Sequence, residues 1–115
     1  MMTRKAKCVA IWLGNFTDEL DADEYLYVGF GRDFHCRPDE ANVPEFCVLD
    51  SAVEIPELLK GFSFESNFFE AACAQAQKSG IATSSTAVIY YQTHYECNEP
   101  PSDSASLTFL GNFEW

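Results

Sequence analysis

Short apolar runs or two-residue alternation mark four stretches of the chain, and apolar residues recur at helical spacing in others. From Lys7 to Leu13, Val9, Ile11 and Leu13 fall on one side of an extended chain, and Cys8, Ala10 and Trp12 on the other. Both sides carry apolar residues, which predicts a central β-strand; Gly14-Asn15 ends it. Glu45 to Asp50 is a short second strand around Phe46, Val48 and Leu49. Thr86 to Tyr95 is a third, with Ala87, Ile89, Tyr91 and Thr93 opposite Val88, Tyr90, Gln92 and His94. Ser106 to Phe113 is the last, with Leu107, Phe109 and Gly111 opposite Thr108, Leu110 and Asn112.

The helical signals lie between these strands. Thr17 is placed to cap a helix from about Asp18 to Tyr25, with acids in the first turn beside the positive helix end. Phe30, Asp33 and Phe34 stand at helical spacing within Tyr27 to His35, where two glycines allow only a short, poorly formed helix. Pro56 suits a first helical turn, with Leu58 and Leu59 inward and Gly61 as the stop. The clearest helix runs from about Phe64 to Ser79, its apolar row formed by Phe68, Ala72 and Ala76 beside Phe69 and Cys73. Ser63, or Asn67 with Glu70, would cap it, and Gly80 closes it. Strands and helices in this order predict one α+β domain spanning residues 1–115. The expected architecture is two layers: an antiparallel or mixed sheet of about four strands, with helices packed on one face.

Charge changes the functional picture. The 115 residues hold 18 Asp and Glu against 7 Lys and Arg, a net of -11. Arg4, Lys5 and Lys7 stand in the first seven residues, so only four cations face all 18 anions from Cys8 onward. Disordered acidic chains are poor in aromatics; this one has 10 Phe, 5 Tyr and 2 Trp, so its acidity belongs to a folded surface. Such a surface repels phosphate backbones and anionic membranes and attracts cationic partners. Arg32, Arg37, Lys60 and Lys78 are scattered along the chain, which argues against nucleic-acid binding. The apolar run Cys8 to Leu13 is too short for a signal peptide, and no stretch has the length of a membrane span. These features place the protein in the cytoplasm.

Catalytic and metal signatures are missing from the sequence. There is no G-x-S-x-G, H-E-x-x-H, dinucleotide fingerprint or phosphate loop. The five cysteines form no C-x-x-C pair. They are expected to be free and mostly buried thiols, with no metal and no cofactor. Five acids in seven residues, Asp18, Glu19, Asp21, Asp23 and Glu24, form either a solvated helix face or a partner-binding site. Asp39, Glu40 and Glu45 are further partner-binding candidates, because loops vary easily and carry function. Tyr25, Tyr27 and Phe46 would serve as aromatic anchors if they are not in the core.

The chain also resembles the immunity protein 22 family of bacterial polymorphic toxin systems. The resemblance rests on Val9-Ala-Ile-Trp-Leu-Gly-Asn-Phe16, the acidic helix ending Glu24-Tyr25-Leu26, and Phe30-Gly-Arg-Asp-Phe34. It continues in Val-Glu-Ile-Pro-Glu-Leu-Leu-Lys-Gly-Phe-Ser-Phe ending at Phe64, in Ser66-Asn-Phe-Phe-Glu70, and in Leu107-Thr-Phe-Leu-Gly-Asn-Phe113. The family's acidic run before the second strand is interrupted here, as Asp39-Glu40 and then Glu45-Phe46. The resemblance implies a non-enzymatic protein that binds and neutralises a cognate toxin, and the acidic charge implies that the toxin domain has a basic surface, as a nuclease does. The other readings are an acidic interaction module or nucleic-acid mimic unrelated to toxins, and a small cysteine enzyme.

Overall fold

A computed structural model describes residues 1–37 and 43–115. The elements in chain order are β1 (Met2–Gly14), α1 (Glu19–Val28), α2 (Phe30–Phe34), β2 (Glu45–Glu54), α3 (Ile55–Leu58), α4 (Glu65–Lys78), β3 (Thr83–Tyr95) and β4 (Leu107–Glu114). The strands form one antiparallel sheet in the order β2-β3-β1-β4. The α+β class and the four-stranded sheet are as the sequence predicts.

The helices, however, cover both faces of the sheet. On one face Val9, Ile11, Leu13, Ala87 and Ile89 meet Leu58 and Leu59 at α3 and Phe68, Ala72 and Ala76 of α4. On the other, Ala10, Trp12, Val88 and Tyr90 meet Leu26 of α1 and Phe30 and Phe34 of α2. The architecture is therefore three layers, where two were expected. The reason lies in β1 and β3, whose residues are apolar on both sides. A sheet with two apolar faces must bury both, and each Å² of apolar surface taken out of water contributes about 25 cal/mol.

Trp12 is the centre of the second layer. It is fully buried, and its ring lies 4.9 Å from Phe30, 5.7 Å from Phe34, 5.8 Å from Tyr90 and 5.1 Å from Tyr95, all edge-on. Tyr95 reaches this cluster because β3 does not alternate strictly. Gln92 takes a positive φ of 51°, opposite an irregularity in β1 between Arg4 and Val9 where Lys7 has φ 54°. Such a bulge re-aims the side chains beyond it. Strict alternation would put Tyr95 on the side of Tyr91, yet it packs with Trp12. Asn112 of β4 secures the same place, since its side chain donates to the Tyr95 carbonyl at 2.8 Å and accepts from the Tyr95 N–H at 2.9 Å.

Local signals set most of the helix ends. The N-cap of α1 is Asp18, one residue after the expected Thr17; its Oδ1 accepts from the N–H groups of Leu20 and Asp21. Helix α4 begins after Phe64, which is left-handed with φ 58° and makes no side-chain cap. Ser63 is not a cap, because its N–H and hydroxyl both donate to Glu45. Glu65 instead reaches back to accept from the Gly61 N–H at 2.8 Å. Gly80, at φ 77°, takes the chain out of α4 in a conformation that costs glycine little. Phe69, expected in the core beside Phe68, is only half-buried.

A buried carboxylate joins α1 and α2 to the connection between β3 and β4. Asp33 is fully buried and accepts from Tyr25 Oη at 2.8 Å, Arg32 Nε at 3.0 Å and Ser104 Oγ at 3.3 Å. The Arg32 guanidinium, together with the Tyr25 and Ser104 donors, outweighs burial and lowers its pKa below the usual aspartate value. A carboxylate more acidic when folded stabilises the fold above the unfolded pKa of about 3.9, and that stabilisation is lost as pH falls through the folded value. Asp33→Asn should therefore lower stability by ~2 kcal/mol near neutral pH and flatten its decline below about pH 4. Denaturant titrations from pH 2 to 7 measure both; an unchanged acid limb would remove Asp33 as its source.

Candidate partner-binding face

Helix α1 leaves β1 through a short turn that the sheet holds in place. Ser85 and Thr86 of β3 both donate their hydroxyls to the Phe16 carbonyl. The Asp18 cap follows, and Ala22 and Leu26 are the residues α1 buries. The buried side is narrow, so most of the helix surface faces solvent.

That outer face carries the acids. Asp18, Glu19, Asp21, Asp23 and Glu24 are all exposed, and none has an ion-pair partner among the described residues. Asp18 is partly committed to the cap. Glu19 and Asp21 sit in the first turn, where the helix dipole favours negative charge. Asp23 and Glu24 have no such support, and the last turn holds no basic residue. Glu19 and Asp23 are four residues apart, and like charges at that spacing destabilise a helix by a few tenths of a kcal/mol. The helix tolerates this repulsion without a compensating cation. Replacing Asp23 with Lys should convert it into an attractive pair and raise stability by about 0.5 kcal/mol, read as a small rise in the thermal midpoint. A fall in stability would mean that Asp23 makes a contact the fold needs.

Apolar side chains stand on the same outer face. Leu20, Tyr27 and Val28 are 78%, 92% and 68% exposed. With Glu24 they follow the i, i+4, i+7, i+8 spacing that aligns residues along one side of a helix. The ridge lies opposite Ala22 and Leu26, so α1 presents an apolar line bordered by carboxylates. Single exposed apolar residues are ordinary, but three aligned on one short acidic helix form a contiguous feature.

The other expected site residues fare differently. Tyr25 is half-buried, its hydroxyl donating to Asp33 and accepting from the Ser106 N–H. Phe46 is half-buried against the Trp12 cluster. Of the three expected aromatic anchors, Tyr27 alone is open. Glu45 lies in β2, not in a loop, and it is occupied. It accepts from Ser63 N–H, Ser63 Oγ and Tyr91 Oη. Burial alone would raise its pKa, but these donors outweigh it and lower the value. Glu45 is thus a structural acceptor holding the approach to α4. Asp39 and Glu40 lie outside the described residues.

Sequence reading missed Leu20 and Val28. The signal was present: an apolar residue embedded among acids at 18–24 has no place in a core stripe that Ala22 and Leu26 already define.

No known protein family, curated protein or solved structure matches this chain. No helix is long and apolar enough to cross a membrane. Among the described residues, no three His, Cys, Asp or Glu side chains group as a metal site would require.

Proposed function

We propose that this protein is an immunity protein, which captures and neutralises a cognate bacterial toxin domain bearing a basic surface, and that α1 forms the centre of the contact. The observation that carries this reading is the outer face of α1, where unpaired carboxylates border the exposed Leu20, Tyr27 and Val28. Carboxylates draw a cationic domain in quickly and set its orientation. Apolar and aromatic anchors at the middle of a contact supply most of the binding energy. A nuclease is the preferred target, because its substrate cleft is basic and an acidic face can stand where phosphates would. The inhibition is steric and electrostatic, needs no chemistry from the protein itself, and takes place in the cytoplasm. The resemblance to the immunity protein 22 family and the net charge of -11 support the same reading.

The test is affinity capture from the native bacterium with the tagged protein as bait. The expected product is a 1:1 complex with a protein whose gene adjoins this one and whose isolated domain is toxic when expressed alone. Co-expression of this protein should restore growth. A retained partner that is acidic, or a toxic domain unaffected by co-expression, would overturn the proposal.

A further inference from the structure

The geometry points to an oxidative cross-link site: Cys36, just after α2, and Cys97, just after β3, form an intramolecular disulfide on exposure to a hydroperoxide. Sixty-one positions separate them in sequence, but the fold brings their segments together. Tyr95, two residues before Cys97, donates its hydroxyl to the carbonyl of Phe34, two residues before Cys36, at 2.7 Å. The neighbouring His35 ring, through Nε2, lies 2.9 Å from the Pro100 carbonyl. Two contacts thus tie the α2 terminus to the chain leaving β3: Tyr95 and Pro100 bracket Cys97, and Phe34 and His35 immediately precede Cys36. Both thiols are half-buried and pack against the same cluster, that of Trp12, Tyr90 and Tyr95.

The other thiols are placed differently. Cys8 is fully buried within β1. Cys47 and Cys73 pack against the cluster on the opposite face of the sheet. A disulfide requires Cα atoms within about 7 Å, so no cross-link can form through the sheet without tearing it. A negative charge on Cys97 would raise the cost of ionising Cys36. Burial pushes the Cys36 thiol up to about 11, so it stays protonated at neutral pH. Cys97 lines an open surface depression with Met1, Thr3, His94 and Glu96. It is therefore the thiol that meets oxidant first.

The steps balance as follows. The Cys97 sulfur attacks the terminal peroxide oxygen and the O–O bond breaks, which gives a sulfenic acid and one water from hydrogen peroxide, or the alcohol from an organic hydroperoxide. The Cys36 sulfur then displaces hydroxide from the sulfenic sulfur; the proton of Cys36 joins that hydroxide as a second water, and the S–S bond closes. The peroxide is reduced and two thiols are oxidised. The bond would fasten α2 to the β3–β4 connection and leave the outer face of α1 untouched.

The experiment treats the folded wild-type protein with hydrogen peroxide and counts thiols after denaturation. Two of the five thiols should disappear, the mass should fall by about 2 Da, and a chymotryptic map should join the Cys36 peptide to the Cys97 peptide. The thermal midpoint should rise by roughly 10 °C, since the bond closes a long loop in the unfolded chain. In Cys36→Ser, Cys97 should remain trapped as a sulfenic acid that a dimedone probe labels. A cross-link through any other pair, a cross-link that forms only in urea, or unlinked over-oxidised Cys97 in the wild type would overturn the assignment.

Discussion

Truncating Trp12 to Ala should cost ~3–5 kcal/mol, a large part of the ~5–15 kcal/mol that holds a domain of this size. The ring is fully buried and is enclosed edge-on by Phe30, Phe34, Tyr90 and Tyr95, with Phe109 tilted against it at 4.7 Å. Ring edges directed at ring faces add to the area term, and no neighbouring side chain is free to fill the gap. The indole N–H makes no hydrogen bond, so removing it leaves no acceptor stranded. The loss is then one of packing, and it should appear as an earlier urea midpoint with an unchanged slope. A cost under about 1 kcal/mol would show that α1 and α2 do not depend on this cluster. The two faces also allow a sharper test. Trp12→Phe and Phe68→Leu sit on opposite sides of the sheet, in clusters that share no side chain. Their effects should add within ~0.5 kcal/mol, whereas a single continuous core would couple them.

Binding kinetics should separate the two kinds of residue on α1. Charge acts before contact, and apolar fit acts after it. Changing Asp18, Glu19, Asp21, Asp23 and Glu24 to their amides should slow association with the captured toxin domain about tenfold or more at low salt, and leave dissociation nearly unchanged. Asn at position 18 keeps an N-cap oxygen, so the helix itself should survive. Raising ionic strength on the wild type should reproduce the slowing, because the Debye length shrinks to about 8 Å by 0.15 M. Leu20→Ala combined with Tyr27→Ala should do the reverse. Anchor losses of at least ~2 kcal/mol correspond to dissociation faster by about thirtyfold, with the salt dependence of association retained. Stopped-flow mixing and surface capture read the two rates. Association indifferent to both salt and the amide replacements would reduce the acidic face to a solvated helix. Dissociation indifferent to Leu20 and Tyr27 would move the anchors elsewhere, the exposed Phe64 and Trp115 being the next place to look.

The sequence by itself determined what local physics decides. Short apolar runs located β1 and β2, two-residue alternation located β3 and β4, helical spacing located α4 within a residue, and Pro56 marked α3. The acidic helix and its five carboxylates were legible for the same reason, since charge is a property of composition. What the tertiary structure decided was where each face points. The sequence reading placed helices on one face only, whereas the two apolar sides of β1 and β3 drew cover to both. The bulge at Gln92 reset the alternation of β3 and turned Tyr95 toward Trp12, a backbone event with no glycine to announce it. Glu45 looked like one more surface acid until the fold brought Ser63 and Tyr91 to it from 18 and 46 residues away. Leu20 and Val28 stand on the outer face because Ala22 and Leu26 fill the buried side of α1. Long-range contacts settle such cases, because a residue's role depends on neighbours that only the folded chain supplies.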